Sequence, residues 1–375
     1  MEQLKLLKYL YALNQTKGRG VKSAKTLVDY FGDIASVFEF KNKPTLQDEN
    51  PKLMAFRAEL KKGFLSSVCA LRAHKELEFL SSKNAALIHY GQKNYPKLLS
   101  QCPDAPLGLM VKGNIPESNF WISVVGTRRA TAMGLDFCRT VIKDLAPVNP
   151  VIVSGLAKGI DYCAHQSALE LGLPTVVCLA HGLNQIYPKE HHSIAAAIEK
   201  HGALLTEFWS QTEFHPSNFL QRNRLIAGLS HVTLVIVSSS KGGSLITAQF
   251  ANGYDREVLA MPGNPYQKTH EGCNELIKSH QAHMMTQAAD VIRIMGWPQS
   301  TTEQKILINI DQTQRAILNK VHRQPYIHKD ELSRILDLKP GILQGALLNL
   351  ELSGLLLTQS GCCLLSNRGV RVLDG

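Results

Sequence analysis

The chain has 375 residues, which at roughly 100–200 residues per domain implies two or three domains. Hydrophobic residues make up 44% and charged residues 19%, an ordinary globular balance that excludes a largely disordered chain. A formal charge of +10 and a pI near 9.1 favour a polyanionic partner, nucleic acid or an anionic surface.

No apolar run reaches the roughly 18 residues of a membrane span. The opening Met1-Glu2-Gln3-Leu4-Lys5 lacks the apolar stretch of a signal peptide. A cytoplasmic protein without a membrane partner is therefore expected. Six cysteines are scattered in mostly apolar contexts, and Cys362 and Cys363 are adjacent. None makes a C-x-x-C pair or a zinc-spaced Cys/His cluster, so reduced, mostly buried thiols are expected.

In chain order, residues 1–78 read as a small helical domain of the SAM/helix-hairpin-helix-like kind. An apolar start (Leu6, Leu7, Leu10, Leu13) precedes helices over Ser23–Phe31 and Met54–Phe79. Between the first two lies Thr16-Lys17-Gly18-Arg19-Gly20-Val21, a glycine turn of the type that can hold a DNA phosphate on backbone N–H groups or merely join two helices. Residues 79–297 alternate strands and helices. Strands are predicted at Ala86–Tyr90, Trp121–Val125, Val151–Val153, Thr175–Leu179, Ala203–Glu207, Val232–Val237, Glu257–Met261 and Asp290–Ile294, with helices such as Met133–Leu145 and Gly159–Leu171 between them. Runs such as Val232-Thr233-Leu234-Val235-Ile236-Val237 suit strands buried on both faces, hence an α/β fold with a Rossmann-like parallel sheet. Residues 298–309 read as a polar linker. Residues 310–375 read as a winged-helix domain, with helices at Thr313–Val321, Lys329–Leu336 and Lys339–Ser353 and a hairpin at Leu355–Thr358 and Cys362–Ser366.

Three glycine-bearing turns follow strands and open helices. They are Gly126-Thr127-Arg128-Arg129, Ser154-Gly155-Leu156-Ala157-Lys158-Gly159 and Lys241-Gly242-Gly243-Ser244-Leu245-Ile246-Thr247. A helix N-terminus offers unpaired N–H groups and about half a positive charge, and glycine lets an anion come close. Thr127, Ser154, Ser244 and Thr247 are read as added hydroxyl donors. In a parallel sheet such turns share the carboxyl edge and can converge on one crevice. Neither the P-loop nor the G-x-G-x-x-G fingerprint is met, so no nucleotide cofactor is expected. Cations replace them: Arg128, Arg129 and Lys158, with Arg222, Asn223 and Arg224 read as opening a helix. The competing account pairs these arginines with carboxylates. Phe208, Trp209, Phe214 and Phe219 stand just before Arg222, and core positions are expected for most of them.

Catalytic and metal sites are not expected. Asp161 and His165 share a helix face, but a dipole-complementing carboxylate and a hydrogen-bonded ring explain them better than an acid–base pair. His191 and His192 lack a third metal ligand at a suggestive spacing. Glu207 and Glu257 lie near strand ends without a nucleophile and base as a set.

These motifs, together with Gln221-Arg222-Asn223-Arg224-Leu225-Ile226-Ala227-Gly228, Gly243-Ser244-Leu245-Ile246-Thr247-Ala248 and Pro262-Gly263-Asn264, closely resemble the DprA/Smf family, in the right order over most of residues 80–295. The resemblance implies sequence-independent binding of single-stranded DNA in natural transformation, homodimers and loading of the recombinase RecA, and with no catalytic set among the residues no enzymatic activity is expected. By motif it carries the family's DNA contacts to Arg128 or Arg129, Ser154, Gly155, Lys158, Arg222, Asn223, Gly243 and Ser244. Lys158 departs from the family's usual arginine, and the turn at Leu179-Ala180-His181-Gly182-Leu183 also differs, with His181 expected to narrow the crevice. Apolar residues near Met284-Met285 or Leu220-Leu225 are candidates for a dimer contact. The alternative is a nucleotide N-glycosidic hydrolase of the lysine-decarboxylase-like Rossmann type. That type carries a Pro-Gly-Gly-x-Gly-Thr turn followed by a glutamate, and neither the proline nor the glutamate stands near Gly242-Gly243 here. Residues 310–375 hold eight Lys+Arg against six Asp+Glu, and the third helix has no arginine, so a protein contact is expected of the tail rather than duplex reading.

Overall fold

The computed structural model describes residues 2–14, 21–38, 66–298 and 310–366, with 58, 59, 62, 64, 369 and 370. The turn at 16–20, the front of the helix expected from Met54 and the linker from 299 to 309 lie outside these residues.

The front part is helical: α1 (Glu2–Asn14), α2 (Val21–Phe31), α3 (Ile34–Phe38) and α4 (Ser67–Ser82). Leu7, Leu10, Leu27, Val28 and Leu80 bury together against Leu107, Met110 and Trp209 of the next part. Glu76 of α4 is 1% exposed. It takes hydrogen bonds from the Ser210 N–H and hydroxyl, and Arg72 stands 2.8 Å away. A charge this buried is tolerable only with such partners, so it fixes α4 to the 207–215 loop.

The central part runs β1 (Ala85–His89), α5 (Lys97–Ser100), β2 (Gly108–Gly113), β3 (Trp121–Gly126), α6 (Ala132–Leu145), β4 (Val151–Ser154), α7 (Ile160–Glu170), β5 (Thr175–Cys178), α8 (His192–His201), β6 (Gly202–Thr206), α9 (Pro216–Gly228), β7 (Val232–Ile236), α10 (Gly243–Gly253), β8 (Glu257–Ala260), α11 (Glu271–Lys278), β9 (His283–Met284) and α12 (Ala288–Met295). The nine strands form one sheet in the order β1-β2-β6-β5-β4-β3-β7-β8-β9. From β6 to β9 every pairing is parallel, as the β-branched runs predict. Beyond β6 two antiparallel strands, β2 and β1, extend it, so the sheet is mixed rather than wholly parallel.

Alternation along β3 sends Trp121 and Val125 to one face, Ile122 and Val124 to the other. The first face buries Leu225 and Ile226 of α9, Ala248 and Ala251 of α10 and Leu276 of α11. The second buries Phe137 and Val141 of α6, Ile160 and Cys163 of α7 and Val291 of α12. The segment Asp290–Ile294, expected as a strand, lies inside α12. A reciprocal capping box between Gln287 and Asp290 starts that helix, and Gly296 in the left-handed region at φ 61° ends it.

The tail comprises α13 (Gln312–Arg323), β10 (Ile327–His328), α14 (Lys329–Ile335), α15 (Pro340–Leu352), β11 (Leu356–Gln359) and β12 (Cys362–Leu365), a winged-helix domain with a three-stranded sheet ordered β10-β12-β11. Its core joins Ile317, Leu318, Val321, Leu332, Leu343, Leu347 and Leu350. All eight cysteines are free, and all but Cys362 are buried.

Candidate nucleic-acid interface

The chain leaves β3 for β4 on one side and returns as β7 on the other, so β3 pairs in parallel with both. Such a switch point leaves a crevice at the carboxyl ends of the strands. The glycine turns meet there. Thr127 N donates to Val237 O at 2.9 Å, and Ile160 N donates to Thr127 O at 3.3 Å. Gly126 packs so closely on Ile236 O and Ile160 that a Cβ there would overlap both. Gly159, at φ 77°, faces the carbonyls of Thr127 and Arg128 in the same way. Asn223 Nδ2 donates to Gly243 O at 3.3 Å, which ties α9 to the third turn.

The cations divide into two kinds. Arg128 and Arg129 are exposed, and among the described residues neither has a carboxylate partner. Lys158 is exposed and ion-paired to Glu190 of the loop after β5, which holds its pKa up and that of Glu190 down. Arg222 and Arg224 are buried, each 5% exposed. Arg222 Nη1 donates to Gly155 O at 2.7 Å and to Cys178 O at 2.6 Å, and its Nε donates to Asn223 Oδ1 at 3.2 Å. Gly155 has no Cβ because the Arg222 guanidinium occupies that space. Arg224 pairs with Glu207 and also donates to Asp104 O. Arg222, Asn223 and Arg224 do not open a helix, as expected from sequence, but lie mid-way along α9, which starts at Pro216 behind the His215 cap.

Two expected hydroxyl donors point elsewhere. Ser154 is fully buried, and its Oγ donates to Val124 O at 2.6 Å. Thr247 is 1% exposed, one turn into α10. Ser244, 8% exposed, donates to Ser238 Oγ at 2.8 Å, and Thr127 Oγ1 accepts from Arg129 N at 3.2 Å. Gly242 caps α10, and Gly243 beside it faces open space.

Beneath the second turn, Asp161 accepts from Ala157 N at 3.3 Å. Burial raises its pKa, against the pull of Arg222 and the N–H groups around it. His165 Nδ1 lies 2.7 Å from Thr175 Oγ1, and burial, with Arg222 and His191 nearby, pushes its pKa down to about 3. His191 Nδ1 bonds Leu156 O at 2.9 Å. These groups are used in holding the turn. Among the described residues no cluster of His, Cys, Asp and Glu has the arrangement of a metal site.

Beside the turns opens a small pocket lined by Arg128, Gly155, Ala157, Lys158, Tyr187, Pro188 and Phe219. Its wall is aromatic. The Tyr187 ring lies 4.8 Å from Phe214 and 5.9 Å from Phe219, and Phe214 lies 5.3 Å from Phe219. The Arg128 guanidinium sits 5.7 Å from the Phe219 ring centre, within cation–π reach. Phe208 and Trp209 are core, but Phe214 is exposed and Phe219 faces the pocket, so core positions hold for two of the four rather than for most. His181 is buried, its ring 6.4 Å from Phe214, so it backs the aromatic wall. Tyr187 was not picked out from sequence. Its signal is its place in the loop after β5, a further turn on the same carboxyl edge.

The family model for DNA recombination-mediator protein A matches residues 86–296, and the DprA winged helix domain matches residues 298–361. The chain is 31% identical to a Protein Smf from Synechocystis over 274 residues, 72% of this chain and 68% of that one. It is 36% identical to Protein Smf of Escherichia coli over 57% of this chain and 58% of that one. The crystal structure of DNA processing protein A from Streptococcus pneumoniae superimposes with a TM-score of 0.62 at 27% identity, covering 78% of this chain and 98% of that one. DNA processing protein A from Helicobacter pylori, described for its single-stranded DNA binding mode, gives 0.52 at 28% identity over 57% of this chain and 97% of that one. Matched by that family model over residues 86–296 and by the winged-helix model after it, the chain belongs to the DprA/Smf family of DNA recombination-mediator proteins.

Proposed function

We propose that the rim formed by the β3, β4 and β7 turns binds single-stranded DNA without sequence preference, in DNA processing during natural transformation. One observation carries the reading: exposed Arg128, without a carboxylate partner among the described residues, lines a pocket walled by Tyr187 and Phe219, with exposed Arg129 next to it in the chain. Cations take the sugar-phosphate backbone, and aromatic faces stack any base, which is the chemistry of sequence-tolerant single-strand binding. The backbone N–H groups of Arg128 and Gly243 supply further anion contacts. The relative described for single-stranded DNA binding supports the same choice.

The proposal includes the division at residues 1–78, 79–297 and 310–375, with the tail as a protein contact. It also includes a homodimer in the cytoplasm that hands its strand to the recombinase RecA, without catalysis of its own. Fluorescence anisotropy of a labelled oligothymidylate, titrated over salt and compared with duplex, tests the site. Affinity should fall with salt at a slope of about 0.7 per phosphate contacted. The double variant Arg128→Ala/Arg129→Ala should lose about 1.4 of that slope, two phosphates' worth. Unchanged binding by this variant overturns the site, and base release from nucleotides by the wild type overturns the binding-module reading.

A further inference from the structure

The carboxyl edge continues past the third turn. Along the sheet the order is β5-β4-β3-β7-β8, so four inter-strand spacings, about 19 Å in all, separate the loop after β5 from the loop after β8. The pocket occupies the β5 end. At the β8 end stands Tyr266, the most exposed large hydrophobic residue among those described, at 94%.

The loop that carries Tyr266 is tied at several points. Asn274 holds Gly263 through two 3.0 Å bonds, one to its N–H and one from the Asn274 amide to its carbonyl. Tyr266 N donates to Asn264 Oδ1 at 2.9 Å, and Gln267 N donates to Asn264 O at 3.0 Å. The start of α11, where the loop ends, bonds to the segment before the third turn: Gly272 N donates to Ser238 O at 2.8 Å, and Ser240 Oγ donates to Glu271 at 3.1 Å. Its base is therefore pinned beside Lys241 and Gly242, while its tip offers an aromatic ring to water. Lys241 and Lys268 are both exposed, and neither has a carboxylate partner among the described residues.

We propose that Tyr266 is a second base seat, at the far end of the same track, for an unpaired nucleobase whose flanking phosphates meet Lys241 and Lys268. The inference rests on the single-strand reading above and deepens it. A strand leaving the Phe219 pocket crosses the β3 and β7 turns and reaches Tyr266 only if it is long enough to span the rim. Tyr266 is exposed and its loop is held by backbone and Asn contacts, so its replacement leaves the fold intact.

The test compares oligothymidylates of about 4 and about 16 nucleotides, the ends of the usual range of single-strand site sizes, against wild type, Tyr266→Ala, Tyr266→Phe and Arg128→Ala. Tyr266→Ala should bind the long strand about tenfold more weakly, the worth of one stacked base, and the short strand as wild type does. Tyr266→Phe should restore long-strand affinity, because the ring and not the hydroxyl makes the contact. A long strand made abasic throughout should erase the difference between Tyr266→Ala and wild type. If Tyr266→Ala matches wild type on the long strand while Arg128→Ala is impaired, the second seat is wrong and the pocket stands. If Tyr266→Ala instead changes the sedimentation of the protein and leaves affinity alone, Tyr266 is a contact between copies and the inference falls. If neither variant affects binding, the single-strand reading of the rim falls with it.

Discussion

Replacing Arg222 by alanine should cost the protein its fold before it costs any DNA contact. Arg222 is 5% exposed, and its guanidinium satisfies the buried carbonyls of Gly155 and Cys178. Truncation orphans both, at about 1–3 kcal/mol each, so about 4 kcal/mol is lost at the middle of the range. The buried Asp161 loses its neighbouring cation as well, which drives its raised pKa higher still. A domain of this size melts roughly 2–4 °C lower per kcal/mol, which places Arg222→Ala about 12 °C below wild type. Arg222→Lys keeps the charge but not the fork, and should fall between the two. Thermal unfolding by circular dichroism reads the shift, and anisotropy well below the melting point reads the affinity. If Arg222→Ala melts within about 2 °C of wild type yet fails to bind, the guanidinium meets the ligand, and the structural role assigned to it is wrong.

The exposed pair should behave in the opposite way. Arg128→Ala and Arg129→Ala should change stability by less than about 0.5 kcal/mol while weakening single-strand binding uniformly across sequences, which melting curves and anisotropy separate. Gly155→Ala puts a methyl group into the Arg222 guanidinium, an overpacking worth about 1–3 kcal/mol, and a denaturant midpoint equal to wild type would refute it. Glu190→Gln frees Lys158 from its ion pair, so binding should tighten and the salt slope steepen by about 0.7, one more phosphate; an unchanged slope means that Lys158 lies off the track. For His165 the folded pKa is pushed down to about 3, against 6.5 in the unfolded chain. The unfolded state therefore takes up the proton first. Stability carried by the neutral ring is present above pH 6.5 and drains at about 1.4 kcal/mol per unit as pH falls toward 3. Urea midpoints of His165→Gln should show a flatter acid limb than wild type.

The parallel strands were legible because burial on both faces demands continuous apolar, β-branched runs, and Val151–Ser154 and Val232–Ile236 supply them. What failed lacked that constraint. Gly108–Gly113 carries one β-branched residue, Val111, and pairs antiparallel at the flank, so its sequence gives no strand signal. Asp290–Ile294 is too short for periodicity to tell a strand from a helix, and its fate was set by caps outside the run, at Gln287 and Gly296. In the site, the turns were legible because glycine at a close approach leaves a mark in sequence. The direction of a side chain does not. Ser154 and Thr247 have the chemistry of anion donors, but both face inward from their elements.

That distinction explains how a basic rim can be both stable and open. A cation that holds a turn in shape is buried and bound to the protein, as Arg222 is through Nε and Nη1 and Arg224 through Glu207 and Asp104. A cation that binds a mobile polyanion must keep its donors in water, as Arg128 and Arg129 do, where it adds almost nothing to stability. Sequence alone does not separate the two kinds, since each reads as a cation at an expected helix start. The separation arises from α9, which begins at Pro216 and delivers Arg222 beneath Gly155 from the opposite face of the sheet. Exchanging the roles by charge-preserving lysine substitution should therefore be tolerated at Arg128 and damaging at Arg222. Equal melting temperatures for Arg128→Lys and Arg222→Lys would show that the two arginines do not differ in kind.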